Sequence, residues 1–190
     1  MLILRPLRLL SILLLGATLM STAHAQTAST PGALPSDAEG FYFLAGDWRV
    51  HHRKLQEPLT GREAWKTFEG SARFHTLVDG LMSVEELSDG EGKPYGGAVR
   101  SFDRATRRWS DRWLSVRDGL LNAPVEGAFV NGVGSFTAPD SYEGRSILVR
   151  GTWTRLSKDV VSWEQAASTD EGKTWEINWQ MRFERVPAPQ

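Results

Sequence analysis

Histidines, carboxylates and one turn motif are the groups in this chain with the chemistry to act on another molecule. Beyond the first 25 residues the histidines are His51, His52 and His75. Neighbours on a strand point to opposite faces, so His51 and His52 make poor partners for one metal ion. Neither His-x-His nor His-Glu-x-x-His occurs, and no metal is expected. Cysteine is absent and there is no Gly-x-Ser-x-Gly elbow, which excludes thiol chemistry and leaves serine chemistry without its usual seat. No histidine follows His75, so a haem iron would have to take its ligand from the first or second strand, and no cofactor is expected. Glu85 and Glu86 also face opposite ways on a strand, so one of them is free to enter a pocket. Glycoside hydrolysis needs two carboxyls roughly 5–10 Å apart, and no spacing among Glu85, Glu86, Asp111, Glu164 and Glu176 selects a pair.

Ser168-Thr169-Asp170-Glu171-Gly172-Lys173-Thr174-Trp175 matches the Asp-box pattern Ser-x-Asp-x-Gly-x-Thr-Trp. Such boxes recur in sialidase propellers, but a propeller carries several copies and this chain has one. The motif reads as a hairpin in which Asp170 bonds turn amides, Gly172 tolerates positive φ and Trp175 packs beneath.

The elements that would position these groups are short and alternate in polarity, as strands do. They are expected at 48–55, 63–77, 81–87, 95–102, 108–116, 125–130, 133–137, 146–156, 160–168 and 174–186. Gly70 is a natural bend in the second, and Asn131-Gly132 is the strongest hairpin signal in the chain. Short connections force sequential strands to be antiparallel. A meander of about ten strands hides its edges best by closing, so the expected fold is all-β, an antiparallel up-and-down barrel. A two-sheet sandwich is the alternative.

Gly46-Asp47-Trp48 opens the first strand behind the aromatic patch Glu39–Ala45, which has room for one helical turn. This Gly-x-Trp placement resembles the lipocalin and fatty-acid-binding superfamily, the calycins. The resemblance implies that Trp48 plugs one barrel end under an arginine of the last strand, Arg185 or else Arg182, through a cation–π contact. The segment Phe41-Tyr42-Phe43-Leu44-Ala45-Gly46-Asp47-Trp48, the hairpin Phe102-Asp103 to Trp109 and the closing run Trp175 to Arg185 resemble the bacterial secreted domain-of-unknown-function family 1579. That resemblance runs from about Phe41 to Val186 and implies a lipocalin-like barrel without an established activity. Gly151 departs from the pattern, which implies an aromatic or apolar residue there.

With Trp48 inside, a period of two puts Val50 and His52 inside with it. The same rule aligns Trp109, Asp111 and Trp113; Val149 and Trp153; Trp163 and Gln165; and Trp175, Ile177, Trp179, Met181, Phe183 and Arg185. The candidate pocket therefore comprises His52, Asp111, Trp113, Trp153, Gln165 and Trp179, with Gly46, Trp48, Asp170, Gly172, Trp175 and Arg185 in structural roles. Apolar walls with sparse polar anchors suit a small apolar or aromatic ligand, although a filled core is also compatible with this size of barrel. Two other classes stay open. One is a calycin-type isomerase or hydrolase using His52 and Asp111 as acid and base. The other is a cell-envelope interaction module that uses a hairpin tip such as Ala138–Gly144.

The N-terminus sets the compartment. Arg5 and Arg8 precede an apolar run from Leu9 to Met20, and Ala23-His24-Ala25 offers a cleavage site. Residues 1–25 are expected to be a signal peptide cut by signal peptidase, residues 26–38 a flexible leader, and residues 39–187 a single periplasmic or secreted β-barrel domain. The run is too short to span a bilayer as a helix, so no membrane insertion of the mature chain is expected. Two positive charges leave with the leader, so the net charge of −1 falls to −3. That balance gives no footprint for nucleic acid. The basic cluster Arg104, Arg107, Arg108 and Arg112, interleaved with Asp103 and Asp111, reads as a solvated hairpin surface. Without disulfides the core must carry the fold, and eight tryptophans, all beyond residue 47, suit that role.

Overall fold

The computed structural model describes residues 32–36 and 39–187. The expected signal peptide, with residues 26–31 and 37–38 of the leader, lies outside the described residues. Among those described, a 3₁₀ turn at Tyr42–Leu44 precedes ten strands. These are β1 (Gly46–Leu55), β2 (Trp65–Leu77), β3 (Met82–Asp89), β4 (Pro94–Asp103), β5 (Arg108–Ser115), β6 (Val125–Val130), β7 (Val133–Tyr142), β8 (Arg145–Arg155), β9 (Val160–Ser168) and β10 (Glu176–Arg185). Each pairs antiparallel with the next, and β10 returns to β1, closing the barrel. Closure leaves neither β1 nor β10 as an open edge.

The closing register runs from Trp48 opposite Arg185 to Lys54 opposite Trp179. It brings Trp48, Val50 and Phe183 into the interior, each at most 1% exposed. The 3₁₀ turn and the residues before it stopper this end. Phe41 meets Trp109 and Phe129 edge-on at 4.9 Å between ring centroids, and Trp48 Nε1 donates to the Leu44 carbonyl at 2.7 Å. Arg185 sits 4.1 Å from the Trp48 ring centroid. Its Nη1 and Nη2 donate to the carbonyls of Ala45 and Phe43, both at 2.7 Å. The arginine expected over Trp48 is therefore Arg185, and it also ties the entering chain to the last strand.

Four sequence expectations need correction. Residues 138–142 continue β7 in ladder with β8, down to Tyr142 opposite Arg145. The exposed turn of that hairpin is thus Glu143-Gly144 rather than Ala138–Gly144, because strand pairing satisfies backbone groups that a seven-residue tip would leave to water. Trp175 and Ile177 do not share a face with Trp179. A register shift between Ile177 and Trp179 inserts a residue into β10 and reverses the alternation. Trp175 lies under Arg150, 4.1 Å from its guanidinium, on the outer surface. Arg107 is no solvated hairpin charge, since it grips Glu39 at 2.7 Å and the Ala33 carbonyl at 2.9 Å. Finally, the second strand begins at Trp65, after a turn in which Gln56 bonds to Ala64.

The Asp-box is a hairpin staple, as its sequence suggests. Asp170 accepts from the Thr174 amide at 2.9 Å and hydroxyl at 2.7 Å, and from the Ser168 hydroxyl at 2.8 Å. These donors hold its carboxyl down at about 2. Trp175 Nε1 closes the turn on the Gly172 carbonyl.

Candidate functional site

Away from the stopper, the interior opens into a cavity of about 650 Å³. Its walls carry four indoles (Trp113, Trp153, Trp163 and Trp179) with Phe136, Val149 and Met181. The mouth is formed by residues 122–125 and by Ala138, Pro139 and Asp140. That mouth exists because β5 and β6 pair over only three positions, Trp109–Asp111 against Val125–Gly127. Beyond them the strands part, held by the Asn122 amide on the Trp113 carbonyl at 2.8 Å.

Glycines make room for two of the indoles. A side chain at Gly96 would run into the Trp113 ring, and a Cβ at Gly151 would stand 3.2 Å from Trp163 Nε1. Gly151, where the family pattern implies a larger residue, instead leaves space for Trp163 beside the cavity. Trp153 sits between Trp163 and Phe183, at 6.2 and 5.4 Å between centroids.

At the cavity base three charged side chains interlock. Arg100 Nη2 donates to Glu85 Oε2 at 2.5 Å, and Arg100 Nε donates to Asp111 Oδ2 at 3.1 Å. The Arg100 and Glu85 side chains are 3% and 2% exposed, and Asp111 is 20% exposed. Burial pushes the Glu85 carboxyl up, against the pull of the Arg100 charge. Arg100 Nη1 is buried without a hydrogen-bond partner. The guanidinium lies 4.7 Å from the Phe41 ring centroid and 5.3 Å from that of Trp153, so ring faces stand where an acceptor is lacking.

Of the expected pocket residues, Asp111, Trp113, Trp153, Gln165 and Trp179 line this cavity. His52 does not. It is 4% exposed, stacks on Phe68 at 4.3 Å and accepts from Trp179 Nε1 at 3.3 Å through Nδ1, so it stands behind the Trp179 wall. That bond puts the proton on Nε2, which is buried without a partner. Burial lowers the His52 pKa to about 4. The acid–base pair His52 and Asp111 is not assembled: Asp111 is bound to Arg100, and no hydrogen bond joins the two. His51 faces outward between Glu69 and Glu184, whose bonds raise its pKa. Among the described residues, no three potential ligands gather to hold a metal.

The alternation placed one residue of Glu85-Glu86 inside, and it is Glu85. Arg100, which bridges Glu85 and Asp111 at the cavity base, is not among the residues expected from the sequence. Its signal was available, because it stands two residues before Phe102 on the inward face of β4, where an arginine must find acids.

No protein-family model matches this chain, and no curated protein matches it. Among solved structures it is similar to a protein of unknown function from the DUF3598 family of Nostoc punctiforme PCC 73102. The two share 16% identity with a TM-score of 0.48, over 84% of this chain and 53% of that one. The chain thus spans about half the length of that protein. It is also similar to Rv2717c from M. tuberculosis, at 8% identity and a TM-score of 0.46, over 77% of this chain and 94% of that one.

Proposed function

We propose that this barrel is an exported binding protein that takes a small, largely apolar or aromatic molecule into its cavity for carriage, sequestration or sensing. One observation carries the reading: a cavity of about 650 Å³ walled by four indoles, with few polar groups and a mouth of exposed residues. Ligand sites run from roughly 300 to 1,000 Å³ and share this character. Export is part of the proposal, on the strength of Arg5, Arg8, the Leu9–Met20 run and Ala23-His24-Ala25. So is kinship with the lipocalin-like proteins and secreted family 1579, on the segment Phe41–Trp48 and the Trp48–Arg185 contact. The enzyme reading loses support, because His52 and Asp111 are engaged with different partners.

The test is titration of the protein with fatty acids, isoprenoids and aromatic metabolites, read by tryptophan emission. Saturable quenching by one of these classes is expected. It should vanish in Ala138→Phe, which fills the mouth, and persist in Lys158→Ala, an exposed side chain on the β8–β9 turn at the stoppered end. Absence of saturable quenching across the panel refutes the binding reading. N-terminal sequencing of protein from cell envelopes should begin at Gln26, and an intact Met1 refutes export with cleavage.

A further inference from the structure

The charge of the cavity, set against its aromatic walls, narrows the class of guest; this inference rests on the binding reading above. Arg100 is the cation among the lining side chains, and it offers little to a guest. Two of its nitrogens are bound to Asp111 and Glu85, and the third is buried among rings. The acids are placed differently. Asp111 Oδ1 and Glu85 Oε1 accept no hydrogen bond among the described residues, and Asp111 keeps part of its surface open to the cavity. Asp140 adds a third carboxyl at the mouth. Three lining acids therefore stand against one lining cation, with the Lys54 ammonium beside Trp179 as a second positive charge at the wall. The indoles act in the same sense, because the face of an aromatic ring is negative and attracts cations. The Trp179 face is already taken by the Lys54 ammonium, 3.9 Å from its ring centroid, so the faces left for a guest's cation are those of Trp113 and Trp163.

We propose that the guest carries a cationic nitrogen, a quaternary or protonated amine on a small apolar or aromatic body, seated between the cavity indoles and the Asp111 carboxylate. An anion on the same body would meet like charge from Asp111, with Arg100 already engaged. A neutral guest of the same shape would fill the space without using the electrostatic field of the site.

A matched series of probes tests this. The (4-biphenylmethyl)trimethylammonium ion, its uncharged carbon isostere 4-neopentylbiphenyl, and 4-biphenylacetate share one aromatic body. Their affinities can be read from the indole N–H signals of the protein by NMR titration. The ammonium should bind about tenfold more tightly than its isostere, as a desolvated cation–π contact allows, and the carboxylate should bind more weakly than both. Asp111→Asn keeps an oxygen for Arg100 Nε and removes the guest's counter-charge, so it should lower the ratio of ammonium to isostere affinity. Equal affinity for ammonium and isostere, or tighter binding of the carboxylate, overturns this inference and leaves the cavity reading standing. If none of the three binds, the cavity reading fails and takes the inference with it.

Discussion

Replacing Arg100 with methionine removes the cation that two carboxylates share inside the barrel. The substitution keeps much of the side-chain length and the contact with Phe41 and Trp153. Glu85, bonded to Arg100 at 2.5 Å and 2% exposed, is left without its partner, and Asp111 loses its 3.1 Å bond. Breaking a buried ion pair from one side costs about 3–5 kcal/mol, because the remaining charge has no compensation. With a urea m-value of about 2 kcal/mol per molar, the unfolding midpoint should fall by roughly 2 M. The loss should depend on pH with a defined sign. Burial already raises the Glu85 pKa, and removal of Arg100 raises it further. A carboxyl whose folded pKa lies above its unfolded value binds more protons in the native state across that window. Stability then rises as pH falls toward the unfolded pKa and is lost as pH rises through the folded one. The deficit of Arg100→Met against the parent protein should therefore shrink between pH 8 and pH 5. Urea unfolding followed by tryptophan emission at both values reads this directly. Adding Glu85→Gln should recover a large part of the deficit at pH 8, since it removes the charge that was stranded. A midpoint shift below about 0.5 M, or a deficit that grows on acidification, refutes the claim that this triad is a coupled buried unit.

Arg185→Ala should lower stability by about 2 kcal/mol, from the lost cation–π contact with Trp48 and the freed carbonyls of Phe43 and Ala45. Arg185→Lys should recover less than half, because an ammonium cannot span both carbonyls as a guanidinium fork does; full rescue in thermal unfolding would contradict this. The adjacent histidines should titrate in opposite directions. His51, bonded to Glu69 and Glu184, should take its proton above pH 6.5, and His52, desolvated, only near 4. Each bears on stability with its own sign. The His51 contribution is present below about pH 6.5 and lost as pH rises through its folded pKa. The His52 contribution is lost as pH falls from about 6.5 to 4, where the unfolded chain binds a proton that the native state refuses. NMR titration of the imidazole carbons measures both, and coincident midpoints for the two rings would refute the assigned environments.

Alternation and turn chemistry, both local properties, are written in the sequence. That is why ten strands, the hairpin at Asn131-Gly132, the inward set Trp48, Val50 and His52, and the Asp-box staple could all be read from it. The Trp48–Arg185 contact was implied by the resemblance to the calycins, which left Arg182 as the alternative, and the register of β10 on β1 selects Arg185. A one-residue insertion in β10 was not legible: a bulge leaves composition and spacing untouched, yet it moves Trp175 and Ile177 off the face that Trp179 occupies. The extension of β7 through Tyr142 also escaped, since Pro139, Asp140 and Ser141 look like loop residues until β8 lies opposite them. The cavity was set by distances between strands far apart in sequence. Whether Trp113 and Trp163 meet and fill the interior, or lie back against Gly96 and Gly151 and leave it open, depends on the curvature of a closed sheet. Arg100 shows the same division. Its inward direction follows from period two, but its use as a bridge between Glu85 and Asp111 required β3, β4 and β5 to be paired in one register. Registry between strands is fixed by the packing of the whole barrel, and no short window of residues contains it.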